Sequence, residues 1–127
     1  MYMNQQPPDS PVNLEQLNQI SEGDIEFEIE VLHVYVEDVS QRIEKIHDAI
    51  TRDDWSKIMG EAHHLKGSSA NVGALRIQTL AGQLEKLDQA HDQEKALEII
   101  NDMFGEIQAV ELFIHEKSAT LSVQKKI

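Results

Sequence analysis

The sequence predicts an all-α protein, an antiparallel up-down-up-down four-helix bundle with a short additional N-terminal helix. Three observations carry that expectation. All three prolines lie between Pro7 and Pro11, so nothing beyond them forbids helix. Apolar residues then recur at alternating spacings of three and four over long stretches, with no alternating strand pattern and no internal repeat. The segments between these stretches are short, which forces consecutive helices to run antiparallel as neighbours.

Residues 1–12 are polar and proline-bearing and are expected to form a flexible leader. Asn13 can cap a short amphipathic helix over 14–20, a lid that ends before Ser21, Glu22 and Gly23. Asp24 caps a long second helix whose seam is Ile25, Ile29, Leu32, Val36, Val39, Ile43, Ile46 and Ile50. Arg52, Asp53 and Asp54 break that seam, and one of the two aspartates caps the third helix. Its core face is Trp55, Ile58, Ala62, Leu65, Ser69 and Val72, and Gly73 marks its end. Leu80, Leu84 and Leu87 line a fourth helix beginning near Ala74. Asp92 caps a fifth, with Ile100, Met103, Ile107, Val110 and Ile114 inward. The domain is expected over 13–119, followed by a polar tail over 120–127.

Composition limits the chemistry. A chain of 127 residues holds one core, and a net charge of -12 argues against a nucleic acid or anionic membrane partner, both of which need a basic face. No run reaches the roughly 18 apolar residues of a membrane span, and the first residues lack the basic-then-apolar order of a signal peptide. A cytoplasmic location is the expectation. With no cysteine, disulfides and thiolate chemistry are absent, leaving His, carboxylates, Lys and hydroxyls. No Gly-rich phosphate loop is present, which argues against an ATP-dependent kinase of the chain's own.

There are six histidines, and helical geometry separates one of them. At about 100° per residue, Ser56, Gly60, Gly67 and Ala70 fall within about 60° of His63. His63 thus stands in a lane of small side chains. A glycine inside a helix costs about 1 kcal/mol relative to alanine, so a bundle with no other purpose gains nothing from Gly60 and Gly67. Clearance around the imidazole is a reason to keep them. Lys66, at i+3, can bring its ammonium beside a group attached to His63, and a neutral imidazole is a competent nucleophile toward an activated phosphoryl donor. Gly67 would let a partner's pocket close over the bond, and Met59, Gly60 and Ala70 would line the docking face. Counting outward from Gly73 brings Gln83 about level with His63 as a candidate orienting residue.

The run Ala62-His63-His64-Leu65-Lys66-Gly67-Ser68-Ser69-Ala70-Asn71-Val72-Gly73-Ala74 resembles the signature of histidine-containing phosphotransfer domains, His-x-x-Lys-Gly followed by small residues and a later Gly. The similarity extends more loosely over 13–119, with an aromatic at Tyr35 where the family favours one. The resemblance implies that His63 rather than His64 is the phosphoacceptor, since only His63 puts Lys at i+3 and Gly at i+4. It implies a phosphorelay intermediate, not an enzyme, that accepts a phosphoryl group from a receiver aspartate and passes it to another receiver, reversibly. It further implies partners among response-regulator receivers and a hybrid histidine kinase, with no cofactor of its own and Mg²⁺ carried by the receiver. The family often has Gln at the fourth-helix level, a place that falls on Gln83 or Glu85 here.

Ordinary surface roles suffice for His33, His47, His91 and His115, and His64 has Lys57, Glu61, Ser68 and Asn71 on its side of the helix, as a polar surface does. The rival reading is a di-metal carboxylate bundle, because Glu30/His33, Glu44/His47 and Glu61/His64 have the Glu-x-x-His spacing. Buried ligands must point inward, whereas the first two pairs sit one residue past the seam and the third lies on the polar face. No metal site is therefore expected. A structural interaction module without phosphorylation is the third alternative, and a monomer is the expected state because four long helices close a core in one chain.

Overall fold

The computed structural model describes residues 10–126. Its elements are α1 (Leu14–Ser21), α2 (Ile25–Thr51), α3 (Trp55–Val72), α4 (Leu75–Glu85) and α5 (Gln93–Lys126). α2 packs on α3 and α5, α4 packs on the same two, and α1 lies across α2 and α3. This is the four-helix bundle with a short N-terminal helix that the periodicity predicts. No helix among the described residues is long and apolar enough to cross a membrane.

Caps start the helices where the sequence places them. Asn13 accepts from the Gln16 N–H at 2.9 Å, Asp24 from Phe27 at 3.1 Å, Asp54 from Lys57 at 3.1 Å and Asp92 from Lys95 at 3.0 Å. Of the two aspartates before α3, Asp54 is the cap, while Asp53 takes a positive φ in the turn and accepts the Trp55 indole N–H at 2.7 Å. Gly73 ends α3 at φ +79, and a Cβ there would come within 3.1 Å of the Asn13 carbonyl oxygen. The close approach exists because the Asn13 N–H donates to the Gly73 carbonyl at 2.8 Å, tying the start of α1 to the end of α3.

The α3 core face expected from the sequence is buried in full. On α5 the five expected residues are buried together with Ala96 and Ile99. Along α2 the seam is buried from Leu32 onward, whereas Ile25 and Ile29 are only partly covered. α4 differs more: Ile77, Ala81 and Leu84 form its buried stripe, and Leu80 and Leu87 flank it half-covered. Leucine spacing alone missed the smaller alanine and the isoleucine that bring α4 close to its neighbours.

Both chain ends depart from expectation. Residues 1–9 of the expected leader lie outside the described residues, but Val12, placed in that leader, is fully buried in the core. An apolar side chain next to a helix cap has core to cover, and the Asn13–Gly73 bond carries it there. At the other end α5 continues through the expected tail to Lys126, because no proline or glycine follows Gly105 to stop it. Residue 127 lies outside the described residues.

Candidate functional site

α3 presents His63 and His64 to different grooves, since consecutive residues diverge by about 100° on a helix. His63 turns toward α4, where its Nδ1 stands 3.0 Å from Oε2 of Glu85. The other oxygen of the same carboxylate holds the Lys66 ammonium at 2.6 Å. The His63 side chain is 76% exposed and that of Glu85 only 24%, so the carboxylate lies beneath the ring and the ring faces solvent.

The protonation pattern follows from the donor inventory. An ionised carboxylate only accepts, so the contact is a hydrogen bond with the hydrogen on Nδ1, and in the neutral ring that leaves Nε2 with its lone pair. Glu85 is ionised: its hydrogen bond to Lys66 draws its carboxyl below the usual carboxylate range, partial burial opposes that, and His63 adds to the lowering. The arrangement is an outward-facing nucleophilic nitrogen on a ring whose tautomer is held from below.

Around this ring the surface is bare. A Cβ built on Gly60 or on Gly67 would meet nothing within 4 Å. Packing inside the chain therefore requires neither glycine. Ser56 is exposed beside them, Met59 is partly buried against the core, and the half-buried Ala70 offers its carbonyl to the Gln16 side chain of α1. Lys66, expected beside a group on His63, rests on Glu85, its stem passing 3.9 Å from where a Gly82 Cβ would lie.

The orienting residue is a correction. Glu85, not Gln83, meets the imidazole, and Gln83 is exposed without a hydrogen bond to His63. The two are two residues apart on α4 and so point about 200° apart, which lets only one face α3. Level counting along a helix fixes height but not azimuth.

His64 turns the other way, its Nε2 3.5 Å from Oδ2 of Asp38 on α2. Asp38 also holds Arg42 at 3.0 Å, and Arg42 reaches Oε1 of Glu61 at 2.8 Å. Lys57 stands 3.4 Å from the second Glu61 oxygen. Glu61 is thus buried, not on the open polar face expected of it, because two cations accompany it inward. Burial works against its ionisation, but the bonds and charges of Arg42 and Lys57 prevail and hold its carboxyl below the usual value. Nearby, the Tyr35 hydroxyl and Ser69 hydroxyl bond at 2.6 Å between α2 and α3, and burial pushes the Tyr35 phenol upward. Above this network lies an open groove of about 880 Å³ lined by Phe27, Val31, Val34, Tyr35, His64 and Val72 among others.

Glu30, His33, Glu44 and His47 are exposed, and Glu61 is committed to its two cations. Among the described residues no group of three His, Asp or Glu side chains is placed to hold a metal ion. The di-metal carboxylate reading is not supported.

A family model described as the Hpt domain matches residues 30–112. The chain is 26% identical over 90 residues to the phosphorelay intermediate protein rdeA of Dictyostelium discoideum, covering 71% of this chain and 35% of that protein. It is 29% identical over 92 residues to histidine-containing phosphotransfer protein 2 of Arabidopsis thaliana, covering 70% of this chain and 59% of that one. The chain thus spans less than two thirds of the length of these curated relatives. Among solved structures, histidine-containing phosphotransfer protein B from Pseudomonas aeruginosa PAO1 superposes with a TM-score of 0.78 at 22% identity, covering 87% of this chain and 97% of that one. The HPT domain of a sensor hybrid histidine kinase from Shewanella gives 0.63 at 19% identity, covering 93% and 97%. The structural likeness shows a shared fold, and the sequence match runs through α3 and α4 with His63, Lys66, Gly67 and Glu85 inside it. The chain belongs to the Hpt domain family.

Proposed function

We propose that this protein is a phosphorelay intermediate that carries a phosphoryl group on Nε2 of His63 between receiver aspartates. One observation carries the reading: an exposed imidazole whose Nδ1 is committed to Glu85, in a lane where Gly60 and Gly67 have open space instead of neighbours. The two curated relatives, a phosphorelay intermediate and a histidine-containing phosphotransfer protein by name, support it.

In this reading a phosphorylated receiver docks over α3, and the Nε2 lone pair attacks phosphorus in line with the departing aspartate oxygen. The domain contributes position and nucleophile; the receiver contributes Mg²⁺ and the activated bond. Met59, Gly60, Gly67 and Ala70 form the floor under the partner, and the small side chains let the receiver's pocket reach the ring. The same reading makes the domain a carrier without kinase activity, a monomer because one chain closes the core, and cytoplasmic, with a hybrid histidine kinase as the source of phosphoryl groups.

Mixing the protein with a phosphorylated receiver and Mg²⁺ should yield an acid-labile phosphohistidine. His63→Gln should abolish it and His64→Gln should preserve it. Labelling that survives His63→Gln and vanishes in His64→Gln would overturn the assignment.

A further inference from the structure

The inference here deepens the phosphotransfer reading and rests on it. A neutral amide could accept the Nδ1 proton equally well; Glu85 instead brings a full negative charge to 3.0 Å from the ring. That difference matters after the phosphoryl group has arrived.

When Nε2 attacks, the Nε2–P bond forms, the P–O bond to the donor aspartate breaks, and its electron pair returns to that carboxylate. The product ring bears a phosphoryl group on Nε2 and a proton on Nδ1, and is a cation. Loss of that proton would leave imidazolate as the group that must depart in the next transfer. Imidazolate is a far poorer leaving group than neutral imidazole.

We propose that the Glu85 carboxylate is a positioning residue that retains the Nδ1 proton on phosphorylated His63, so that the phosphoryl group always departs from a neutral imidazole. On onward transfer an acceptor aspartate oxygen bonds to phosphorus, the P–Nε2 bond breaks, and the electron pair returns to Nε2. No proton enters or leaves. Lys66 acts through Glu85: its ammonium, 2.6 Å from Oε1, favours the ionised carboxylate against the partial burial that opposes it. Lowering of the Glu85 carboxyl by Lys66 and His63 is consistent with this.

The charges around the ring are Glu85 from α4 and Lys66 from α3. His64 is turned to Asp38 on α2, where Arg42 and Glu61 complete the network. The ion pairs of α5, Lys117 with Glu28, Arg76 with Glu106 and Lys95 with Glu98, lie elsewhere. The pH response of the phosphorylated ring therefore belongs to the Glu85–Lys66 pair.

The test uses phosphoramidate, a small phosphoryl donor that needs no partner protein, to load the wild-type chain, Glu85→Gln and Glu85→Asp. Loss of phosphohistidine and its transfer to a receiver with Mg²⁺ are then followed by ³¹P NMR between about pH 6 and 9. Glu85→Gln keeps an acceptor for Nδ1–H but removes the charge. Its rate profile should move to lower pH by about one unit, and its phosphohistidine should live about tenfold longer at the alkaline end. Glu85→Asp should restore the wild-type profile at least in part. Superimposable profiles for wild type and Glu85→Gln would overturn the inference. Absence of any label on His63 from both phosphoramidate and a phosphorylated receiver would sink the phosphotransfer reading itself, and this inference with it.

Discussion

At the scale of single residues, neighbours decide what a side chain does. His63 and His64 are adjacent, both exposed and both next to a carboxylate, yet one faces the bare lane and Glu85 while the other joins the Asp38–Arg42 network. The glycines of the lane make a measurable statement. Because a Cβ at Gly67 meets nothing, Gly67→Ala should stabilise the protein by about 0.5–1 kcal/mol in urea unfolding. Gly67→Leu should also fold, but should slow phosphoryl uptake from a receiver at least about tenfold, equivalent to about 1.4 kcal/mol of barrier. Wild-type uptake by Gly67→Leu would remove the clearance argument. Glu61 gives a second prediction at this scale. Its folded-state pKa is lowered, so its stabilisation is present above the ordinary glutamate value of about 4.3 and is lost as pH falls through the folded value. Glu61→Gln should thus be less stable by about 1–3 kcal/mol at neutral pH, with the gap to wild type closing below about pH 4 in urea titrations. A gap that stays constant into acid would mean the pair contributes through shape and not charge.

At the scale of elements, the bundle is completed by a layer that the family match over 30–112 does not include. α1, the first turn of α2 and the last turns of α5 meet at Glu28. Its carboxylate accepts the Ser21 hydroxyl at 2.5 Å and holds the Lys117 ammonium at 2.8 Å, while Lys117 also lies 5.5 Å from the Phe113 ring centre. Glu28 is buried although it lies off the Ile25, Ile29 and Leu32 seam, because a lysine from α5 and a hydroxyl from α1 reach it together. Breaking one side of a buried pair leaves a charge without compensation. Lys117→Ala should cost about 2 kcal/mol, less than for a fully enclosed pair because the Lys117 side chain is 23% exposed. The loss should appear first as faster amide exchange in α1, which is also fastened by Leu17, Val12 and its bonds to Ala70 and Gly73. Unchanged α1 protection in Lys117→Ala would show that the apolar contacts suffice alone.

At the scale of the whole molecule, a net charge of -12 sets self-repulsion against the core. The exposed ion pairs, such as Arg52 with Asp48 and Lys95 with Glu98, contribute about 0–1 kcal/mol each and lose little when screened. Repulsion summed over the surface is the larger quantity. Raising NaCl from about 0.02 to about 0.5 M should therefore raise the urea midpoint, as the Debye length shrinks from tens of ångströms to a few. A midpoint that falls with salt would mean that the Glu28–Lys117 and Glu61–Arg42 pairs outweigh the net repulsion.

The sequence by itself determined the helices, their caps and most of the inward faces, because these depend on local spacing: a 3.6-residue period, a capping side chain three residues from its N–H, a glycine free to take positive φ at 73. It also singled out His63 as the candidate, since the lane of small residues and the Lys66 and Gly67 offsets lie within one helix. What only the tertiary structure decided involves two helices at once. Glu85 against His63, Lys66 against Glu85, Glu61 buried between Arg42 and Lys57, and Val12 drawn into the core all depend on the azimuth at which one helix meets another. That angle is set by how the interhelical side chains fill space, and spacing along a single helix does not contain it.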